Sequence, residues 1–173
     1  GGCSEVGRDS VGQVGREVVL QGVSLRLDQL LDELAGLRAV DFDFNRLESD
    51  GPQRLISLTD ELLAHPNPER AIPNLLQVME RLPNSDLGTP GPLVHTLEKL
   101  DGYEAELTSS VKRAPCGLSV WMVNRILNVT SNPEQRQAWL AVLESVLNNP
   151  LASDQAKRDA TKFLKFQRQE HSQ

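Results

Sequence analysis

Leucines at positions 27, 30, 31, 34 and 37, with Asp28, Asp32 and Glu33 between them, follow a three- and four-residue rhythm that draws one apolar stripe along a helix. Ser24 precedes the stripe as a hydroxyl able to cap the free amides of a first turn, and Gly36 to Arg38 mark its end. The rhythm resumes at Pro52. Leu55, Ile56, Leu58, Leu62 and Leu63 define a second helix, which must stop before Pro66 because the residue ahead of a proline is driven out of helical geometry. Asn67-Pro68-Glu69 starts a third, bearing Ile72, Leu75, Leu76, Met79 and Leu82, with Pro73 either kinking it or delaying its start. Pro83-Asn84-Ser85-Asp86 ends it, and Gly91-Pro92 then opens a helix carrying Leu93, Val94, Leu97 and Leu100. Asp101-Gly102 breaks that helix, and Tyr103, Leu107 and Val111 predict a short one after it.

The stretch from Pro115 to Asn128 has a different pattern. Leu118, Trp121, Met122 and Ile126 share one side of a helix, while Val120, Val123 and Leu127 make the remaining sides apolar. A helix apolar nearly all round is a buried one, so this element, over about Gly117 to Val129, should be covered on at least two sides with Trp121 inside. Its polar residues, Asn124 and Arg125, must reach the surface or find partners, since an unpaired buried amide or guanidinium is costly. Their expected role is structural. Ser131-Asn132-Pro133-Glu134 is a strong start signal for the next helix, whose apolar face holds Trp139, Leu140, Val142, Leu143, Val146 and Leu147. Asn148-Asn149-Pro150 closes it. Ser153 caps a last helix that turns Ala156, Ala160, Phe163 and Leu164 inward and Lys157, Arg158, Lys162, Lys165 and Arg168 to water.

The pattern predicts an all-α chain of about seven to eight helices. Helix starts at Pro52, Pro92 and Pro133 are 40 and 41 residues apart, each leading a pair of short helices, which is the period of a HEAT-like helical repeat. Side-chain similarity between the units is poor, and a compact irregular helical bundle accounts for the same pattern. Residues 1–22 hold six of the chain's twelve glycines and almost no periodicity, so they read as a flexible arm or an appended tail ahead of a single helical domain over 23–173. Glu17-Val18-Val19-Leu20 within them could form one strand or one turn.

At 173 residues the chain can bury roughly 70% of its unfolded surface, enough for one sizeable core. Aromatic residues make up only 4%, and Leu dominates, which favours helix packing over sheet packing. Cys3 and Cys116 lie far apart without metal-ligand spacing, which fits free thiols in a reducing cytosol and leaves a single disulfide between them as the alternative. No apolar run approaches the length of a membrane span. Gly1-Gly2-Cys3-Ser4 is similar to the end of a lipoprotein signal, but the apolar segment that defines such a signal is not in the chain.

Charge is divided unevenly. Between Asp28 and Glu106 there are 16 acids and 6 bases, whereas Leu107 to Gln173 has 5 acids and 9 bases. The acidic half would repel nucleic acid and attract a basic protein, or it is a solvated surface that confers solubility. If it is a contact surface, Asp41, Asp43, Glu98, Asp101, Glu104 and Glu106 are its candidate residues, because each is expected in a loop or on the polar side of a helix.

Sites for chemistry are weaker. Asp41-Phe42-Asp43-Phe44-Asn45 starts with the alternate carboxylates of a calcium loop, but Arg46 stands where the turn needs Gly and Pro52 where a bidentate Glu is required. The segment reads instead as an acidic loop with Phe42 and Phe44 tucked inward, and neither a metal nor a cofactor is expected. His95 with Glu98 is the one histidine paired on a helical face, and with Arg125 these would be the nearest candidates for an unfamiliar enzyme site. Gly88-Thr89-Pro90-Gly91-Pro92 lacks the Lys of a phosphate loop and reads as a shaped turn. Asn128-Val129-Thr130 fits a glycosylation acceptor, with nothing else indicating secretion.

Leu87-Gly88-Thr89-Pro90-Gly91-Pro92-Leu93-Val94-His95, then Tyr103, Lys112-Arg113-Ala114-Pro115 and Ser119-Val120-Trp121-Met122-Val123-Asn124-Arg125-Ile126, resemble a G-x-P-G-P-L-V-H turn, a downstream Tyr, a basic segment ending in Pro and a V-W-M-x-N-R-I helix. Those features belong to immunity proteins of bacterial polymorphic toxin and contact-dependent inhibition systems. The resemblance spans about Asp86 to Phe166 and leaves the first 50 residues uncovered. It implies a small, monomeric, cytoplasmic helical protein without enzymatic activity, which binds its cognate toxin domain and blocks the active site. Gly91, Pro92, His95, Trp121, Asn124 and Arg125 would then maintain the fold, and toxin contacts would fall on surfaces the motif does not cover. A helical-repeat scaffold that recognises a peptide or helix is the alternative from the residues alone.

Overall fold

The structure, a computed structural model, describes residues 26–169. The glycine-rich arm, the Val18 segment, the Ser24 cap and Cys3 lie outside the described residues. Within them the chain is all-helical: α1 spans residues 26–36, α2 Gly51–Leu63, α3 Ile72–Arg81, α4 Gly91–Leu97, α5 Tyr103–Arg113, α6 Gly117–Val129, α7 Pro133–Leu147 and α8 Asp154–Gln169. Two short 3-10 helices, Ala39–Phe42 and Pro68–Ala71, precede α2 and α3.

Helix ends follow the local chemistry. The Asn132 side chain accepts the Gln135 amide at 3.0 Å and Pro133 occupies the first turn of α7, so an amide that would be orphaned there is satisfied. Ser153 does the same for α8 by accepting from the Ala156 amide at 3.1 Å. Pro73 does not kink α3. The chain makes a 3-10 turn at Pro68–Ala71 and α3 begins at Ile72, with Pro73 in the first turn where no amide is needed. α4 ends at Leu97, earlier than its apolar pattern suggested, and Leu100 is buried from the turn beyond it. Ahead of α4, Gly88 has φ 87°, and a Cβ there would sit 2.6 Å from the Gly91 Cα, so this turn requires glycine. The Thr89–Pro90 peptide bond is cis.

The helices pack mostly on the next one or two along the chain: α2 on α4, α3 on α4 and α5, α5 on α6 and α7, and α8 on both α6 and α7. α6 is the centre, touching α3, α5, α7 and α8. Val120, Met122, Val123, Ile126 and Leu127 are buried on it, each such side chain contributing about 1.5–3 kcal/mol by leaving water. The two-helix period does not hold. Three helices, α4, α5 and α6, lie between Pro92 and Pro133, where the repeat requires a pair, so the chain is a compact irregular helical bundle.

Polar links tie the bundle together. Arg81 on α3 donates to the Leu34 and Leu37 carbonyls, each at 3.0 Å, closing the free C-terminal end of α1. Glu80 accepts from Ser110 at 2.7 Å and from two nitrogens of Arg113, joining α3 to α5. The Ser153 amide reaches the Pro115 carbonyl at 3.1 Å, and the Asn149 side chain reaches the Lys112 carbonyl at 2.9 Å. These last two bonds set the α7–α8 turn against the α5–α6 turn. Phe42 is buried as expected, but Phe44 is 71% exposed, because Asp43 and Asn45 form a tight turn that points it outward.

Candidate functional site

Glu98 follows the last residue of α4 and reaches Arg125 on α6. Its Oε1 accepts from Nε at 2.5 Å and its Oε2 from Nη2 at 2.9 Å, a two-pronged carboxylate–guanidinium pair. The Arg125 guanidinium also lies 4.9 Å from the Trp121 ring centroid, within reach of a cation–π attraction. Trp121 corrects the expectation of full burial: it is half-buried, packed against the core with Arg125 lying over its ring. Hydrogen bonding to Glu98 holds the Arg125 pKa above its ordinary value against the opposing effect of burial.

Asn124, one residue earlier, is buried and faces α8, where its Oδ1 accepts from Gln167 Nε2 at 2.8 Å. The same Nε2 reaches Asn128 Oδ1 at 2.7 Å, and Gln167 Oε1 accepts from Arg136 on α7 at 2.6 Å. Arg136, also buried, donates from Nη1 to the Leu127 carbonyl at 2.9 Å and from Nη2 to the Gln167 carbonyl at 3.1 Å. Arg136 and Gln167 are interior residues that the sequence pattern did not single out. The only hint in the sequence was that each sits a helical turn from an apolar position.

The Glu98–Arg125 pair forms one wall of an open cleft of about 390 Å³, with Tyr103, Glu104, Ile126 and Thr130 completing most of its lining. Burial raises the Tyr103 pKa, and Glu104 and Glu98 add to the shift by disfavouring a phenolate, so this hydroxyl remains a hydrogen-bond donor. The cleft adjoins a second one of about 620 Å³ between α5 and α7, for Glu104, Ile126 and Thr130 line both. A third, polar cleft of about 740 Å³ lies between the Asp86–Thr89 turn and the start of α8.

Of the six candidate contact carboxylates, the structure brings Glu98 and Glu104 to one cleft. Asp101 is exposed in the α4–α5 turn, and Glu106 is half-buried on α5. Asp43 is exposed in its own turn, where it accepts the Asn45 amide. Asp41 is not a free surface charge: it accepts the Arg38 amide at 2.7 Å and lies 3.9 Å from Arg54. Glu98 is likewise engaged, leaving Asp43, Asp101, Glu104 and Glu106 as the carboxylates more available to a partner. His95 is exposed on α4, while Glu98 is turned to Arg125, so the three residues do not form a shared acid–base site. Among the described residues no three His, Cys, Asp or Glu side chains gather where a metal could be held. No helix among them is long and apolar enough to cross a membrane.

Gly91 and Pro92 form the first turn of α4, and Trp121, Asn124 and Arg125 join α6 to the end of α4 and to α8. Comparison with family models, curated proteins and solved structures gives no match to this chain. The geometry therefore carries the functional argument: a face built from α5, α6 and α7 sets the exposed Glu104 and Lys112 about an apolar floor of Ile126, Trp139 and Val142.

Proposed function

We propose that the chain is a non-enzymatic immunity protein that binds a basic cognate toxin domain through the face formed by α5, α6 and α7. One observation carries the reading. Glu104, an exposed acid from the strongly acidic half of the sequence, sits where two adjoining clefts meet over the apolar Ile126 and the half-buried Trp139. Acidic groups rimming an apolar floor favour a basic protein surface, by steering its approach and then by burying apolar area. Of the motif that resembles immunity proteins, Trp121 and Asn124 are engaged within this chain, by Arg125 and by Gln167, whereas Tyr103, Lys112, Arg125 and Ile126 line the face itself, contrary to the expectation that the contacts fall where the motif does not reach.

The test is protection of cells that co-express a candidate basic toxin domain. Asp101→Lys, Glu104→Lys and Glu106→Lys combined should abolish protection with the thermal midpoint within a few degrees of the parent, because exposed charges contribute little to stability one by one. Asp43→Lys, in a separate turn, should leave protection intact. Full protection by the triple variant would refute the reading.

A further inference from the structure

The cleft between α5 and α7 has a volume of about 620 Å³ and a charged residue of each sign on its α5 wall. Its α5 wall is formed by Glu104, Thr108 and Lys112, four residues apart and so on one helical face. Its α7 wall runs from Gln135 to Ser145 and exposes the small Ala138 and Ala141, beside Trp139. At 1.5 Å per residue the walls are about 12 and 15 Å long, which matches two to three turns of a docked helix.

The walls run parallel. Glu104, Thr130 and Gln135 share one end of the cleft, and the Asn149–Lys112 hydrogen bond brings the C-terminal ends of α5 and α7 together at the other. The groove is thus acidic at one end, through Glu104, and basic at the other, through Lys112. Both wall helices present their positive N-terminal ends to the Glu104 end. An occupant lying antiparallel to them places its negative C-terminal end there, and basic residues in its last turn meet Glu104 while acids in its first turn meet Lys112.

We infer that this groove binds an amphipathic helical segment of a partner protein, antiparallel to α5 and α7, with an acidic first turn, small-to-medium apolar residues at three- and four-residue spacing, and a basic last turn. The inference rests on the reading of this face as the contact surface and names what it grips.

The probe is a synthetic 14-residue peptide of that pattern, with Glu in its first turn, Leu and Ala along one face, Lys in its last turn and a nitroxide at its N-terminus, titrated into the isotope-labelled full chain. Binding should shift the amides of Thr108, Ala138 and Ala141, and the nitroxide should broaden Lys112 and Ser145 but spare Gln135. Exchanging the charges with Glu104→Lys and Lys112→Glu should move the broadening to the Gln135 end. Ala141→Trp should weaken the peptide at least tenfold, with Ala141→Ser as the folded control that retains it. No shift in groove amides at millimolar peptide, shifts mapping elsewhere, or broadening that ignores the charge exchange would each overturn the inference. A peptide-free protein that dimerises until Ala141→Trp separates it would overturn it too, since the occupant would be a second copy. Toxin protection lost in the carboxylate triple variant but kept in Ala141→Trp would refute the groove while sparing the immunity reading; the reverse holds if the peptide behaves as expected and no toxin binds.

Discussion

Replacing Gln167 by Leu keeps the side chain's approximate volume but removes the amide that joins three helices. Its Nε2 donates to Asn124 and Asn128, and its Oε1 accepts from Arg136. Asn128 is exposed, so water replaces the lost bond there at little cost. Asn124 is 8% exposed, and leaving its oxygen without a donor should cost about 1–3 kcal/mol. Arg136, 9% exposed, keeps the two backbone carbonyls but loses a charge-assisted bond of about 1.5–3 kcal/mol. Burying the added apolar surface returns about 1 kcal/mol, so Gln167→Leu should destabilise by about 1.5–5 kcal/mol. Asn124→Leu should cost a similar amount alone. The double variant removes donor and acceptor together and should fall short of the sum by at least about 1 kcal/mol. Urea denaturation of the four proteins, followed by far-ultraviolet circular dichroism, measures the cycle. A Gln167→Leu cost under about 0.5 kcal/mol, or strict additivity, would refute a buried network that α6, α7 and α8 share.

Trp121→Ala should cost about 2–3 kcal/mol, below the 3–5 kcal/mol or so of a fully buried tryptophan, because only part of the ring is covered and the Arg125 contact adds about 0.5–1 kcal/mol; chemical denaturation checks the value. Gly51→Ala should cost about 2 kcal/mol, since a Cβ would stand 2.4 Å from the Asp41 carbonyl oxygen, and a shift in thermal midpoint reads it. Burial raises the Cys116 pKa, so above the ordinary thiol range the unfolded chain loses this proton first and stability falls as pH rises through the folded value, with full stability kept on the acid side. In a Cys3→Ser background, Cys116→Ala should flatten that alkaline decline in urea midpoints, and a thiol reagent should label Cys116 only at the rate of unfolding.

Helices were legible because burial of one face imposes a three- and four-residue rhythm on Leu, Val and Ile, and because Asn132, Pro133 and Ser153 are local signals that need no tertiary contact. Pro73 and Leu100 show the limit of such signals: whether a proline bends a helix or begins it depends on the turn before it, here a 3-10 turn at Pro68–Ala71. The repeat period misled because α6 intervenes in the middle unit as an extra helix. Of the inward-facing polar residues, Asn124 was legible because it stands in a helix apolar nearly all round, while Arg136 and Gln167 were not. Arg136 and Gln167 are buried only because their partners, distant in sequence, arrive to satisfy them. The same applies in reverse to Asp41 and Glu98, whose charges looked free until Arg54 and Arg125 were placed beside them. Glu104 was nominated from charge and its place on the polar side of a helix, but the grooves that give it a context exist only once α5, α6 and α7 pack.

The most direct test of binding through an acidic face is the rate at which the chain associates with the proposed toxin partner as salt is varied. For the unaltered protein the rate should drop steeply between about 0.01 and 0.15 M salt, as the screening length shortens from roughly 30 to 8 Å. In the protein carrying Asp101→Lys, Glu104→Lys and Glu106→Lys, the low-salt rate should be at least about tenfold slower and its salt dependence flat or inverted. Equal rates and equal salt dependence for the two proteins would contradict the account and place the contact elsewhere, with the basic C-terminal helices the next surface to test.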